Sequence, residues 1–366
     1  MKKVLLATTA LIATAAFAAP ARAELEVTVG GFAAFQAGWF DNDDTNSSDR
    51  DFQSESEIEV RADGTADNGL EYGAFVQLET STDNSDNAGE VWIYGQGAWG
   101  RVELGDAHGA GRMGVYAPTV GIGQINGSYD DFVTSADRGH AINDRGDARF
   151  LALDSESSTK VSYFTPKFAG FKAGASYTPE VDSSNLGEAV QFFDNVGDHE
   201  DMFEVGATYE RDFNNVNFLI SGNYNHADAK NGAGVEDISS WGVGAQLGYA
   251  GFRFGGGYTD QGDSGNTAAT ADDDVSSWNV GATYENGPWG VGISYLATDL
   301  DTNGDDSGIL GTDGNGGDYS VIAAGGTYTV APGLTVGADV AFYDRDRSAG
   351  ADTDGTVVMT DVTAAF

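Results

Sequence analysis

Between residues 107 and 156 the chain carries Asp130, Asp131, Asp137, Asp144 and Asp147, with Arg138, Arg145 and Arg149 interleaved. Carboxylates and guanidiniums mixed along one segment can order water and sort solutes by charge. This is also the longest stretch without strand alternation, and so long an irregular segment in a compact body is functional or disordered. A second group, Asp299, Asp301, Asn303 and Gly304, reproduces the D-x-D-x-N-G opening of a calcium loop, but Leu310 stands where the bidentate Glu belongs. Asp352, Asp354 and Gly355 form a shorter fragment of the same kind. The choice there is between weak calcium binding that bridges acidic loops and simple solubilising acidity.

Catalysis finds less support. His108, His140, His199 and His226 are scattered without metal-ligand spacing, and no Gly-x-Ser-x-Gly elbow or phosphate-binding glycine loop occurs. Carboxylate pairs are too numerous to single one out. With no cysteine, disulfides and thiolate metal sites are excluded. The expectation is a protein that is not an enzyme and has no cofactor beyond calcium in its loops.

The elements that hold these residues are constrained by the ends and by composition. Lys2 and Lys3, the apolar run VLLATTALIATAAFAA and the small-residue site Ala21-Arg22-Ala23 have the layout of a secretory signal peptide. The expectation is cleavage after residue 23 and one domain over 24–366. The apolar run is shorter than a membrane-spanning helix needs, and nothing downstream approaches that length. Eighteen basic residues against 57 acidic ones give a formal net charge of −39, which repels nucleic acid and anionic lipid alike. Disorder is the other home for such acidity, but 40% hydrophobic and 11% aromatic residues require a folded body.

Periodicity identifies that body as all-β. In NVNFLISGNYN, Val216, Phe218, Ile220 and Tyr224 share one face while Asn217, Ser221, Asn223 and Asn225 share the other, a separation that a helix would scramble. SWNVGATYE, FRFGGGYT and LTVGADVAFY repeat the split. Strands are expected at 25–40, 50–63, 70–80, 89–97, 100–106, 157–166, 170–178, 202–211, 215–226, 239–249, 251–260, 275–286, 289–299, 318–330, 333–345 and 356–366. Between them, tight turns such as TADNG, PKFAG, DFNN and ENGP alternate with long Asp, Asn, Ser and Gly-rich loops. Sorting connections this way, with about 16 strands, is the layout of a membrane barrel with loops outside and turns in the periplasm. In lipid every backbone amide needs an internal partner, so such a sheet spans a bilayer only by closing on itself.

NGLEYGAFVQLET followed by EVWIYGQGAWGRVELGDAHGA resembles the early hairpins of Gram-negative general porins, especially those of photosynthetic α-proteobacteria. Gly95, Gly97, Gly105, Asp106, Gly109 and Ala110 fall where that pattern has its glycines and its Gly-Asp step. KVSYFTPKFAGFKAGASYTPE resembles the strand, Pro-containing turn and strand that follow the third loop. The resemblance implies a 16-stranded antiparallel transmembrane barrel of the bacterial outer membrane, with an inward-folded third loop and a homotrimeric assembly. It also implies passive passage of ions and small hydrophilic solutes. On that reading, residues 107 to 156 are the constriction loop, with Asp130, Asp131, Asp137, Asp144 and Asp147 facing a basic wall.

Wall residues follow from phase. Opposite Ile58 and Val60, the positions Glu55, Glu57, Glu59 and Arg61 face the lumen, and by the same parity Arg101, Glu103, Lys160, Lys172 and Arg253 point inward. A charge on the lipid face would cost a few kcal/mol, roughly, at mid-membrane. Ten basic residues lie between Arg50 and Lys172, close in sequence to the acidic loop. A general diffusion pore preferring cations is the leading expectation. A substrate-specific channel and a calcium-stabilised exported surface protein are the rivals.

Overall fold

The computed structural model describes residues 25–42, 49–79, 89–121, 123–125, 129, 132, 152–155, 158–181, 199–230, 232, 234–264, 274–301, 318–346 and 352–366. Eight strands make the first half: β1 (Glu26–Asn42), β2 (Arg50–Thr65), β3 (Glu71–Glu79), β4 (Glu90–Gly97), β5 (Gly100–Asp106), β6 (Thr159–Phe164), β7 (Phe171–Val181) and β8 (His199–Phe213). Eight more follow: β9 (Val216–Ala229), β10 (Ile238–Tyr249), β11 (Phe252–Gly262), β12 (Asp274–Asn286), β13 (Trp289–Asp301), β14 (Tyr319–Ala331), β15 (Leu334–Arg345) and β16 (Thr353–Ala365). Each pairs antiparallel with its sequence neighbours, and β1 pairs β16, closing the barrel. Reciprocal bonds between Gly31 and Phe366, 3.1 and 3.0 Å, carry the seam to the last residue. A closed sheet leaves no unpaired edge.

The sixteen strands match the sixteen expected from periodicity one for one, and they differ at the ends. β8 starts at His199, and β9 runs to Ala229. Backbone pairing continues past the apolar band into segments that are polar on both faces, where alternation has nothing to register. β6 stops at Phe164 because the turn Thr165-Pro166 follows, and proline has no N–H for the ladder.

Tight hairpins sit at one end. Asn214 and Asn215 take φ of 48° and 70° between β8 and β9, and Ala250 and Gly251 take 51° and 86° between β10 and β11. Two consecutive left-handed residues make the mirror-image turn whose twist suits a two-residue hairpin. The strand ends that lead into the long connections lie at the opposite end.

Alternation builds the outer surface. On β10, Ser240 is buried in the interior while Trp241, Val243 and Leu247 are 39%, 48% and 47% exposed on the outside. Rings ring both rims: Phe252 packs on Tyr284 (4.4 Å) and Trp289 on Tyr328 (4.5 Å) near the turns, Trp241 on Tyr258 (5.4 Å) and Trp278 on Tyr295 (5.0 Å) near the loops. From Trp241 to Tyr249, a tilted strand rises about 20 Å, close to the apolar band of a membrane barrel. Ala245 lies midway. Ala245→Arg is expected to cost about 2–4 kcal/mol in urea unfolding from lipid vesicles; an unchanged midpoint would remove Ala245 from the lipid face.

Inside, the one large apolar cluster joins Ala117, Ile125, Tyr129 and Phe132 of the β5–β6 connection to Leu296, Val321, Ala341, Val357 and Met359 on β13 to β16. The core therefore lies between the barrel wall and a segment folded into the lumen.

Candidate functional site

The β5–β6 connection leaves the wall at Ala107 and crosses the lumen against successive strands. A short 3-10 turn, Ala110–Met113, opens it. The Ala110 amide donates to Ser176 Oγ on β7 (2.7 Å), that of Val115 to Ser221 Oγ on β9 (2.7 Å) and that of Ala117 to Asn279 Oδ1 on β12 (2.7 Å). Further on, the Gly123 amide donates to Asp339 Oδ2 on β15 (3.3 Å), and the Tyr129 and Tyr319 hydroxyls meet at 2.9 Å. Wall amides answer: Asn223 Nδ2 donates to the Gly111 carbonyl (2.8 Å) and Gln246 Nε2 to that of Tyr116 (2.7 Å). Past its one described 3-10 turn, backbone groups of the segment are met by inward polar side chains of the wall.

Close approach needs an absent side chain on the wall. A β-carbon on Gly281 would lie 2.9 Å from the Pro118 carbonyl oxygen, and one on Gly206 or Gly244 would run into the carbonyls of Ala110 or Val115. These inward glycines form a track in which the segment lies flat.

The return leg is held by one carboxylate. Glu204 on β8 is fully buried and accepts from both the amide and the hydroxyl of Ser155, at 3.0 Å each. The Leu153 carbonyl accepts from Asn225 Nδ2 (2.6 Å) and Ser240 Oγ (2.8 Å). Arg112 Nε and Asp154 Oδ2, 2.8 Å apart, tie the two legs together.

The inner wall of β2 and β3 is acidic. Across β2 and β3, Glu57 pairs in register with Glu79, Glu59 with Gln77 and Arg61 with Phe75. Arg61 lies over the Phe75 ring (5.1 Å). Arg101 lies 3.9 Å from the Tyr94 ring centroid with its Nε 2.5 Å from Glu103 Oε1. Lys172 lies over the Phe164 ring at 5.1 Å, and Arg253 Nη1 donates to Gln246 Oε1 at 3.2 Å. Lys160 is 3% exposed, donates to the Ala107 carbonyl and sits among Glu204, Asp154, Asp106 and Glu90. Its ammonium anchors the start of the inserted segment.

Asp130, Asp131, Asp137, Asp144 and Asp147 lie outside the described residues, as does Asn303. Asp299 and Asp301 lie at the end of β13, paired in register with Ser276 and Asp274. Just before β14, burial and then the Asp299 carboxylate push the Asp318 carboxyl above its ordinary range. Among the described residues no group of three or more His, Asp or Glu is arranged to hold a metal ion.

Reading from the residues missed Glu204, the glycine track and the apolar lumen positions. Only the last left a signal: Leu296, Val321, Ala341, Val357 and Met359 are apolar on the face that should be wet.

A model of the Gram-negative porin family matches residues 7–348. A porin refined at 1.8 Å resembles the fold with TM-score 0.59 and 20% identity, over 93% of this chain and 100% of that one. The anion-selective porin from Comamonas acidovorans gives TM-score 0.62 at 16% identity, over 94% and 100%. A mutant of the Rh. blastica porin gives 0.57 at 15%, over 93% and 100%. Among sequence relatives, an uncharacterized protein of Rickettsia felis is 24% identical over 404 residues, covering 87% of this chain and 86% of its own. Another, of Rickettsia conorii, is 24% identical over 439 residues, covering 94% and 93%. At these identities the solved structures speak for the fold alone.

Proposed function

The chain belongs to the Gram-negative porin family, a family of outer-membrane channels, and we propose that it passes ions and small hydrophilic solutes by passive diffusion with a preference for cations. The observation that carries this reading is the inner wall of β2 and β3, where Glu55, Glu57, Glu59 and Glu79 alternate into the lumen with Arg61 as the one basic position among them. Carboxylates in a low-dielectric walled passage concentrate cations and repel anions. Two of the basic side chains named for the wall are engaged elsewhere, Lys160 in the anchor and Arg101 with Glu103. We therefore assign the selectivity first to the β2–β3 carboxylates, with Asp130 and Asp131 of the inserted loop adding to the same field. A similar fold serves the anion-selective Comamonas porin, which fits a sign set by lumen residues rather than by the barrel.

Assembly as a homotrimer is part of the same proposal, and wall height supports it. β3 to β6 have only nine, eight, seven and six residues. Tilted by ~40°, such strands rise about 16–23 Å, less than the ~25 Å apolar band. Ile93 (55% exposed) and Val161 (51%) on that low wall then face a neighbouring subunit better than lipid. The continuous apolar exterior argues against a soluble calcium-stabilised surface protein.

Proteoliposome swelling tests the reading. Vesicles holding the protein should swell in small sugars at rates that fall with sugar size, and the protein should run as a heat-dissociable trimer in mild detergent. Vesicles no leakier than protein-free ones, with folded barrel present, would overturn it.

A further inference from the structure

Below the inserted segment, on the turn side, the lumen wall holds a recess of about 480 Å³. Its roof is the backbone of Tyr116 to Thr119, fixed by the bonds from Gln246 and to Asn279. Its wall carries Asn217, Arg253, Thr283 and Glu285 from β9, β11 and β12. Arg253 stands opposite Thr283 in register, which makes Glu285 its diagonal neighbour one inward position nearer the turn.

Arg253 is held unlike Arg61, Arg101, Arg112, Lys167, Lys172 and Lys230. Arg101, Arg112, Lys167 and Lys230 each have a carboxylate partner, and Arg61 and Lys172 lie over rings. Arg253 has the neutral Gln246 amide, and among the described residues no carboxylate reaches within 4 Å of it. Glu285 is exposed, and its carboxylate has no hydrogen bond or ion pair among the described residues. One cation and one anion thus face the same polar recess as diagonal neighbours, with the Thr283 hydroxyl beside them; the Asn217 amide donates to Glu210 Oε1 (3.4 Å) and Asp212 Oδ1 (3.0 Å), and the Glu210 carboxylate feels the Arg253 charge without forming an ion pair with it.

We infer that this recess is a subsite for small zwitterions, molecules bearing an amine and a carboxylate as an α-amino acid does. The inference rests on the channel reading and names a solute class for it. A carboxylate would lie on the Arg253 guanidinium, and the ammonium on Glu285. The remaining charge pattern selects the class. A simple anion must pass the Glu55 to Glu79 wall and then finds Glu285 beside its Arg. A simple cation finds Arg253 beside its Glu. A zwitterion has no net charge to be repelled at the constriction, and both of its ends are met.

Planar-bilayer current through the open protein, titrated with L-alanine, tests this, with sodium acetate and ethylammonium chloride as the half-molecules. L-Alanine should reduce the current saturably, and neither half-molecule should do so at equal concentration. Arg253→Gln and Glu285→Gln should each weaken the block about tenfold, the loss of one charge-assisted contact. The exchange Arg253→Glu with Glu285→Arg should restore part of it, and Arg211→Gln, over the Phe213 ring at the turn rim, should leave it unchanged. A current that conducts normally but shows no saturable block, or a block indifferent to both variants, overturns the inference and leaves the channel standing. A protein that conducts nothing overturns the channel reading itself.

Discussion

Glu204→Ala should release the return leg of the inserted segment while leaving the barrel closed. The carboxylate is the acceptor for both donors of Ser155 and one of the charges around Lys160. Its loss leaves buried donors unsatisfied, at about 2–3 kcal/mol. Because β8 keeps its ladder bonds to β7 and β9, that cost should fall on local opening and not on global unfolding. Hydrogen exchange at residues 109–113 and 152–155 should speed up by about 30- to 150-fold, from the same 2–3 kcal/mol. Strand amides should keep their protection. Single-channel conductance should rise and become noisy as the segment leaves the lumen. Glu204→Gln keeps an acceptor without the charge and should fall between. Unchanged exchange in both legs would show that the glycine track and the apolar cluster hold the segment without this anchor.

The second large effect concerns charge. Replacing Glu55, Glu57, Glu59 and Glu79 together by Gln should lower the sodium-over-chloride permeability ratio by about threefold or more, judged from the focusing a like-charged passage produces. The shift should be greatest at low salt, since the screening length shortens to ~10 Å at 0.1 M. Asp130→Asn with Asp131→Asn separates the loop from the wall. If that pair alone abolishes the cation preference and the four wall changes do nothing, the selectivity belongs to the loop.

Strand number and facing were legible because the lipid face and the wet face impose opposite polarity on alternate residues. Asn223 and Asn225 inside against Ile220 and Tyr224 outside is that rule in one strand. Strand ends were less legible: Thr353, where β16 starts, lies beyond the lipid, where polarity no longer alternates. The inserted segment's path was legible only through family resemblance, since its contacts are backbone amides meeting scattered Ser, Asn and Gln side chains. Gly206, Gly244 and Gly281 read as ordinary strand glycines, because an absent side chain carries no polarity. Parity alone puts Glu204 on the same wet face as Glu210, so its burial depends on Ser155, 49 residues away.

An aqueous passage lined by an acidic wall should reveal itself in the reversal potential across a planar bilayer under a potassium chloride gradient. The protein should insert as channels, in steps of three for a trimer, with a potential of the sign set by cation flow. Insertion with an anion-directed potential would contradict the acidic wall as the selector, and folded protein that never conducts would contradict the passage.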